Sequence, residues 1–179
     1  MGKFLDTDTS LQWKRFNSNN PKQFSSYNKI IDSWSSNAGV KKYITTSDPR
    51  PVTYMFMDFL GEESNIFYCF EDERLIGTAF ISGPYSDTDS ATIEYIIVDP
   101  KAQGRGLATR MIKSITNNPK FFIGEKYNGK IVASIHKENI GSQKAFLKNS
   151  FQVVKKPVIY SPNYLRVLYS EPKINTMEK

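Results

Sequence analysis

The 179-residue chain has one cysteine, Cys69, and one histidine, His136. A lone cysteine excludes an internal disulfide and a cysteine-based zinc site, and it suits a reducing cytoplasm. No metal site is expected. Runs of about 18 apolar residues are absent, so no membrane-spanning helix is expected. The opening MGKFLDTDTS lacks the apolar segment of a secretory signal, and Asp6 stands where a myristoylation signal carries Ser or Thr. Repeats and low-complexity blocks are missing too. The expectation is a cytoplasmic globular protein.

A modest excess of base is present, with a net charge of +6. It fits a nucleic-acid-binding surface, a surface that holds a smaller polyanion, or simply a soluble surface. The lysines and arginines are scattered. One dense basic stretch also carries glycines: VDPKAQGRGLATRMIKSI, residues 98–115. The length suffices to bury a core, so a single domain is expected over residues 1–170, with a C-terminal tail over 171–179.

In PKQFSSYNKIIDSW, Phe24, Tyr27, Ile31 and Trp34 recur at helical spacing behind Pro21. RPVTYMFMDFLG predicts a second helix, with Val52, Phe56, Phe59 and Leu60 on its apolar face and Gly61 at its end. A loop rich in Ser, Asn, Asp and Pro joins the two. The period then changes. NIFYCF and RLIGTAFIS are β-rich runs split by Glu71-Asp72-Glu73, a hairpin signal. ATIEYIIV is a third run. Its continuous apolar end, Ile96-Ile97-Val98, predicts a central strand covered on both faces. GLATRMIKSI predicts a helix that buries Leu107, Met111, Ile112 and Ile115. KIVASI predicts a strand, and NIGSQKAFLKNS a helix with Asn139 as N-cap. FQVV and YLRVLYS predict closing strands, broken by Pro157 and Pro162, and LQWKRF offers a first strand. This order predicts a mixed α/β (α+β) fold, not a regular βαβ alternation.

Strand, loop and helix meet in VDPKAQGRGLATRMIKSI. A helix start presents unpaired amides and a partial positive charge. Glycine before it lets those amides approach a ligand closely. With Lys101, Arg105 and Arg110 alongside, the stretch suits a phosphate, and a diphosphate better than a carboxylate. The mononucleotide pattern GxxxxGK[ST] does not fit after Gly104. The dinucleotide pattern GxGxxG fits at Gly104 and Gly106 but meets Thr109 at its third glycine, and a hairpin precedes the strand. The alternative is a helix start whose glycines serve only the turn.

VDPKAQGRGLATRMI resembles the acyl-coenzyme A segment of the GCN5-related N-acetyltransferase (GNAT) family. That family carries Q/R-x-x-G-x-G/A, matched here by Gln103, Gly106 and Ala108 behind Val98-x-Pro100. NIGSQKAFLKNSF is similar to the N-x-x-S…K-x-G-F segment of its ribosomal-protein N-terminal acetyltransferase branch. Asn139, Ser142, Lys148 and Phe151 match, and Ser150 replaces the glycine. The resemblance implies a mixed, mostly antiparallel central sheet of about six or seven strands, with helices on both faces and a splayed central strand pair. It implies acetyl-CoA as co-substrate. The backbone of Ile96, Ile97 and Val98 would pair with the pantetheine arm, as an open strand edge suits an amide-bearing chain. Amides of Gln103, Gly104, Arg105, Gly106, Leu107, Ala108 and Thr109 would hold the pyrophosphate, with Asn139 and Ser142 along the pantetheine or nucleotide path.

Acetyl transfer to an amine needs a proton acceptor, because a lysine amine has a pKa of about 10.4 and an α-amine about 7.7–8.0. Glu94 is the carboxylate on the central strand, expected by alternation on the same face as Ile96 and Val98. An ion pair, or exposure at a strand end, explains it equally. His136, just after KIVASI, suits acid–base work near neutrality or is a solvated strand-end residue. Two positions depart from the family. Phe146 stands where many members have a tyrosine, and Ser134 where some have glutamate. The usual proton donor for the departing thiolate is therefore missing. Ser142, Tyr95, Tyr160 or water is left to deliver that proton, Ser142 first by its position in the motif. A thiol pKa of about 8.5 makes the thiolate a tolerable leaving group unaided. A strand amide near Val98 would meet charge developing on the thioester oxygen.

The N-terminal third and VIYSPNYLRVLY flank this strand and are expected to face the acceptor. They carry Trp13, Trp34, Tyr54, Phe56, Tyr160 and Tyr164 as core or pocket aromatics, and Asp58, Glu62 and Glu63 as attractors or a solvated helix end. The expected activity is acetyl transfer to a primary amine, on a small molecule or a polypeptide N-terminus, by a monomer or homodimer. Two alternatives stand beside it: a non-catalytic acyl-CoA-binding or regulatory module, suggested by Phe146 and Ser134, and a basic nucleic-acid-binding domain.

Overall fold

Strands, not helices, open the chain. The computed structural model describes residues 3–6, 9–16, 22, 25–44, 50–58, 64–84, 89–154 and 162–172. LQWKRF forms β2 (Leu11–Arg15), which buries alternate residues Leu11 and Trp13. It pairs with a short extra strand, β1 (Lys3–Asp6), that brings the sheet above the expected strand number.

Helices α1 (Ser25–Ser35) and α3 (Val52–Asp58) follow the predicted apolar spacing: Ile31, Trp34, Val52 and Phe56 are buried. Phe24, Phe59, Leu60 and Gly61 lie outside the described residues. The connecting segment is not all loop. Asn37 Oδ1 accepts the Gly39 amide at 3.0 Å and starts a one-turn helix, α2 (Ala38–Lys41).

The hairpin of β3 (Ser64–Glu71) and β4 (Arg74–Ser82) turns at Asp72-Glu73, both at positive φ. Cys69 on β3 is fully buried, and burial pushes its thiol pKa well up. Then come β5 (Ala91–Val98), α4 (Leu107–Asn117), a one-turn α5 (Pro119–Phe122), β6 (Lys130–His136), α6 (Ile140–Leu147), β7 (Gln152–Val154) and β8 (Tyr164–Ser170). The sheet is eight-stranded, in the order β1-β2-β3-β4-β5-β6-β8-β7. Its β5–β6 pair is parallel and the other pairs are antiparallel.

Each face of the sheet carries its own core. Leu107, Met111, Ile112 and Ile115 of α4, with Ala145 and Phe146 of α6, pack on one face. Ile31 and Trp34 of α1, with Val52 and Phe56 of α3, pack on the other. Burying each such aliphatic side chain contributes about 1.5–3 kcal/mol. Central strand β5 serves both: Ile93, Ile96 and Val98 face the α4 side, Tyr95 and Ile97 the α1–α3 side.

Candidate active site

That division of β5 breaks strict alternation, and the cause is a β-bulge. β4 and β5 pair as Phe80↔Tyr95 and Ile81↔Ile93, so Glu94 is an extra residue with no partner across the ladder. The bulge corrects the alternation argument: Glu94 does not share a face with Ile96 and Val98. Its carboxylate instead accepts a 2.5 Å hydrogen bond from Ser82 Oγ, two residues along β4 from Phe80 of the α1–α3 core. Glu94 is exposed.

At the same residue the sheet opens. β5 and β6 pair at Ala91↔Ile131, Thr92↔Val132 and Ile93↔Ala133, and there the pairing stops. β6 continues beside β8 as far as His136↔Tyr164. The two parallel strands therefore splay from Glu94 onward, and among the described residues the edge of β5 from Glu94 to Val98 has no strand neighbour on that side. The predicted splayed pair is present.

A cavity of about 700 Å³ fills the opening. It is lined by Glu94 to Val98 of β5; by Gln103, Gly104, Gly106, Leu107, Ala108 and Thr109; by Ser134 to His136 of β6; and by Asn139, Ser142 and Phe146. Sequence-predicted residues from four separate segments thus share one space.

The loop end of the cavity is built from backbone. Asp99 Oδ1 accepts the Lys101 amide at 2.9 Å and starts a single 3-10 turn over Pro100–Ala102. Gly104 and Gly106 then take φ of +83° and +72°, a conformation that side chains with a Cβ disfavour. The first amide of α4 with a backbone partner is that of Arg110, on Gly106 O at 3.1 Å. Among the described residues, the amides of Leu107, Ala108 and Thr109 meet no protein acceptor, as expected of a first helical turn.

The basic side chains behave differently from expectation. Arg105 and Arg110 both turn to Glu71 at the end of β3, at 2.7 and 2.5 Å, and Arg110 also donates to Thr9 O. The Arg105 side chain does not line the cavity, and neither does Lys101. What the loop presents to the cavity is its backbone amides and the helix end.

Asn139 caps α6 as predicted, accepting the Ser142 amide at 3.0 Å. Phe146 is buried and meets Phe151 edge-on at 4.9 Å between ring centroids. His136 is half-buried at the end of β6, its ring 5.3 Å from Tyr164 and 5.9 Å from Tyr43; Nδ1 accepts the Glu138 amide at 3.2 Å. Burial raises the hydroxyl pKa of Tyr95 and of Tyr164, and the Glu94 charge raises that of Tyr95 further, so both stay protonated near neutrality. The Tyr164 hydroxyl is sealed from solvent, so its ring is what borders the cavity.

The predicted acceptor aromatics divide. Phe56 lies 5.2 Å from Tyr95 between ring centroids, tilted at 40°, and Tyr164 lines the cavity. Trp13 takes the core alternative: it is fully buried on the α4 side, donating from Nε1 to Ser114 Oγ at 2.8 Å. Trp34 is core and Tyr54 is 60% exposed. Asp58 pairs with Arg50 at 2.6 Å. Tyr160, Glu62 and Glu63 lie outside the described residues. Sequence reasoning missed the wall made by Gly39, Val40, Tyr43 and Ile44, in and after α2. The Asn37 cap was its one local signal.

Among the described residues no group of acidic, histidine or cysteine side chains could hold a metal ion, and no helix is long and apolar enough to cross a membrane.

Among curated proteins, no match is found. Solved structures similar in fold include spermidine N-acetyltransferase from Vibrio cholerae in complex with CoA and spermine, with a TM-score of 0.67 and 14% identity over 90% of this chain and 95% of that one. Campylobacter jejuni N-acetyltransferase PseH in complex with acetyl coenzyme A gives 0.59 and 14% over 90% and 99%. The NatC complex bound to Gag peptide and CoA gives 0.61 and 15% over 90% and 99%. The family model of the acetyltransferase (GNAT) family matches residues 29–151, a span that holds the splayed strands, the glycine loop and the Asn139 cap. The chain belongs to the GNAT acetyltransferase family.

Proposed function

We propose that the protein is an acetyl-CoA-dependent N-acetyltransferase that acts on a primary amine by direct attack. One observation carries the reading: the slot opened beside β5 at Glu94 runs, within a single cavity, to the unpaired amides at the start of α4. An unpartnered strand edge suits the amides of a pantetheine arm. Free amides at a helix N-terminus suit a diphosphate. Neighbours of the same fold crystallised with coenzyme A or acetyl coenzyme A support the same ligand.

Acetyl-CoA supplies an electrophilic thioester. Glu94 takes the proton of the incoming amine, directly or through water, from its bulge at the mouth of the slot. A β5 amide near Val98 donates to the oxygen on which charge develops. Asn139 and Ser142 border the cofactor path. Phe146 has no hydroxyl, so the thiolate receives its proton from Ser142 or water.

Isothermal calorimetry with acetyl-CoA is the direct test, paired with thiol release against a panel of amines and N-terminal peptides. Binding followed by release is expected. Absence of binding at sub-millimolar concentration would remove the proposal. Binding without release from any acceptor would favour a non-catalytic acyl-CoA module, the reading to which the missing hydroxyl at Phe146 lends weight.

A further inference from the structure

We propose that the acceptor is a primary amine with a single positive charge on an apolar or aromatic body, and not a polyamine or polycationic sugar. This rests on the acetyl-transfer reading above. The observation is the charge content of the acceptor half of the cavity. Its walls are Val40, Tyr43 and Ile44 from α2 and the segment after it, Tyr95 on β5, His136 on β6 and Tyr164 on β8. Among the described lining residues Glu94 is the one formally charged side chain.

One ammonium is well served here. Glu94 offers a carboxylate, and the aromatic lining residues Tyr43, Tyr95 and Tyr164 favour an apolar or aromatic body beside it. A second ammonium is not. The described lining offers it no further carboxylate, and a desolvated charge without a partner is strongly disfavoured. Farther out the field is adverse. Lys41 and Lys42 flank Val40 and Tyr43, and Lys137 follows His136; all three are exposed. Lys42 Nζ sits 4.4 Å from the centroid of the Tyr43 ring. Tyr43 Oη in turn donates to Glu138 O at 3.2 Å, so both basic segments meet at this rim. Glu138 alone opposes the three lysines there among the described neighbours. Like charges brought together at a binding rim are costly, so this rim discriminates against a ligand that carries several positive charges. The spermidine acetyltransferase of Vibrio cholerae shares the fold at 14% identity, and its acceptor does not transfer with the fold.

The test uses the whole chain with saturating acetyl-CoA and follows thiol release from phenethylamine, a peptide beginning with Phe, spermidine and kanamycin. The expected kcat/KM for phenethylamine or the Phe peptide exceeds that for spermidine and kanamycin by at least about tenfold at low salt. Added salt narrows the gap, since it screens the rim. A Lys41→Glu/Lys42→Glu double variant raises the spermidine value relative to phenethylamine. A rate with only the peptide, or only phenethylamine, supports the proposal and assigns the body to a polypeptide or a small molecule. Equal values, or preference for spermidine or kanamycin, overturn the proposal and leave acetyl transfer standing. Release with none of the four and with no amine of the wider panel, despite acetyl-CoA binding, overturns both.

Discussion

Ser82 Oγ and Glu94 Oε1 lie 2.5 Å apart, tying the carboxylate of the β5 bulge to the neighbouring strand β4. The bond engages one oxygen of a carboxylate that lines the slot. Glu94→Gln keeps an acceptor for Ser82 and removes the base. It should lower kcat about 10²-fold or more while calorimetry finds acetyl-CoA affinity unchanged. An unaltered rate would remove Glu94 from the mechanism. Ser82→Ala should lower kcat less, through loss of carboxylate orientation.

Gly106 stands at φ +72°, and a Cβ there would meet nothing within 4 Å. The penalty of Gly106→Ala is therefore conformational, about 1–2 kcal/mol. Relief of that strain rotates the first free amides of α4. Acetyl-CoA binding should weaken by about tenfold, a larger loss than the fall in Tm alone would suggest. Titration calorimetry beside a thermal melt separates the two effects; full affinity with a lowered Tm would mean that these amides do not hold the ligand.

Glu71 receives Arg110 and then Arg105, and the Arg110 hydrogen bond, with Arg105 behind it, holds its carboxyl below the ordinary value of 4.5. A group whose folded pKa is depressed stabilises the protein above its unfolded pKa, and that contribution is lost as pH falls through the folded value. The Tm gap between wild type and Glu71→Gln should therefore be full above pH 4.5 and shrink below it. Melts across that range check the direction. A gap that widened on acidification would contradict the pairing.

Ser150 occupies φ +64°, where the family segment that it resembles has glycine. The backbone turn after α6 is kept and the residue is strained. Ser150→Gly should stabilise the fold by about 1 kcal/mol, seen as a higher urea midpoint at unchanged m value. Activity should not move.

The glycine loop and the Asn139 cap were legible because each is written in consecutive residues. Gly104, Gly106 and Asn139 act through their own backbone or a partner three residues away. The features that were not legible depend on distant partners. The Glu94 bulge exists only in the pairing of β5 with β4, so period-two counting along β5 put the carboxylate on the wrong face. Arg105 pairs with Glu71, 34 residues earlier, a partner that no local pattern along the loop announces. Trp13 sits in a segment that flanks the slot in sequence order, but its strand is next to the sheet edge and its ring enters the α4-side core. The α2 wall has one turn of helix, too short for any periodicity to register.

Cys69 has a practical consequence. The thiol is fully buried on β3 and kept in its protonated form by that burial, so an aromatic disulfide reagent in the assay mixture should titrate only the coenzyme released. The same residue then becomes a clock for the protein itself. Its labelling rate measures how often the sheet opens, and any ligand that grips the β5 slot should slow that clock in proportion to its occupancy.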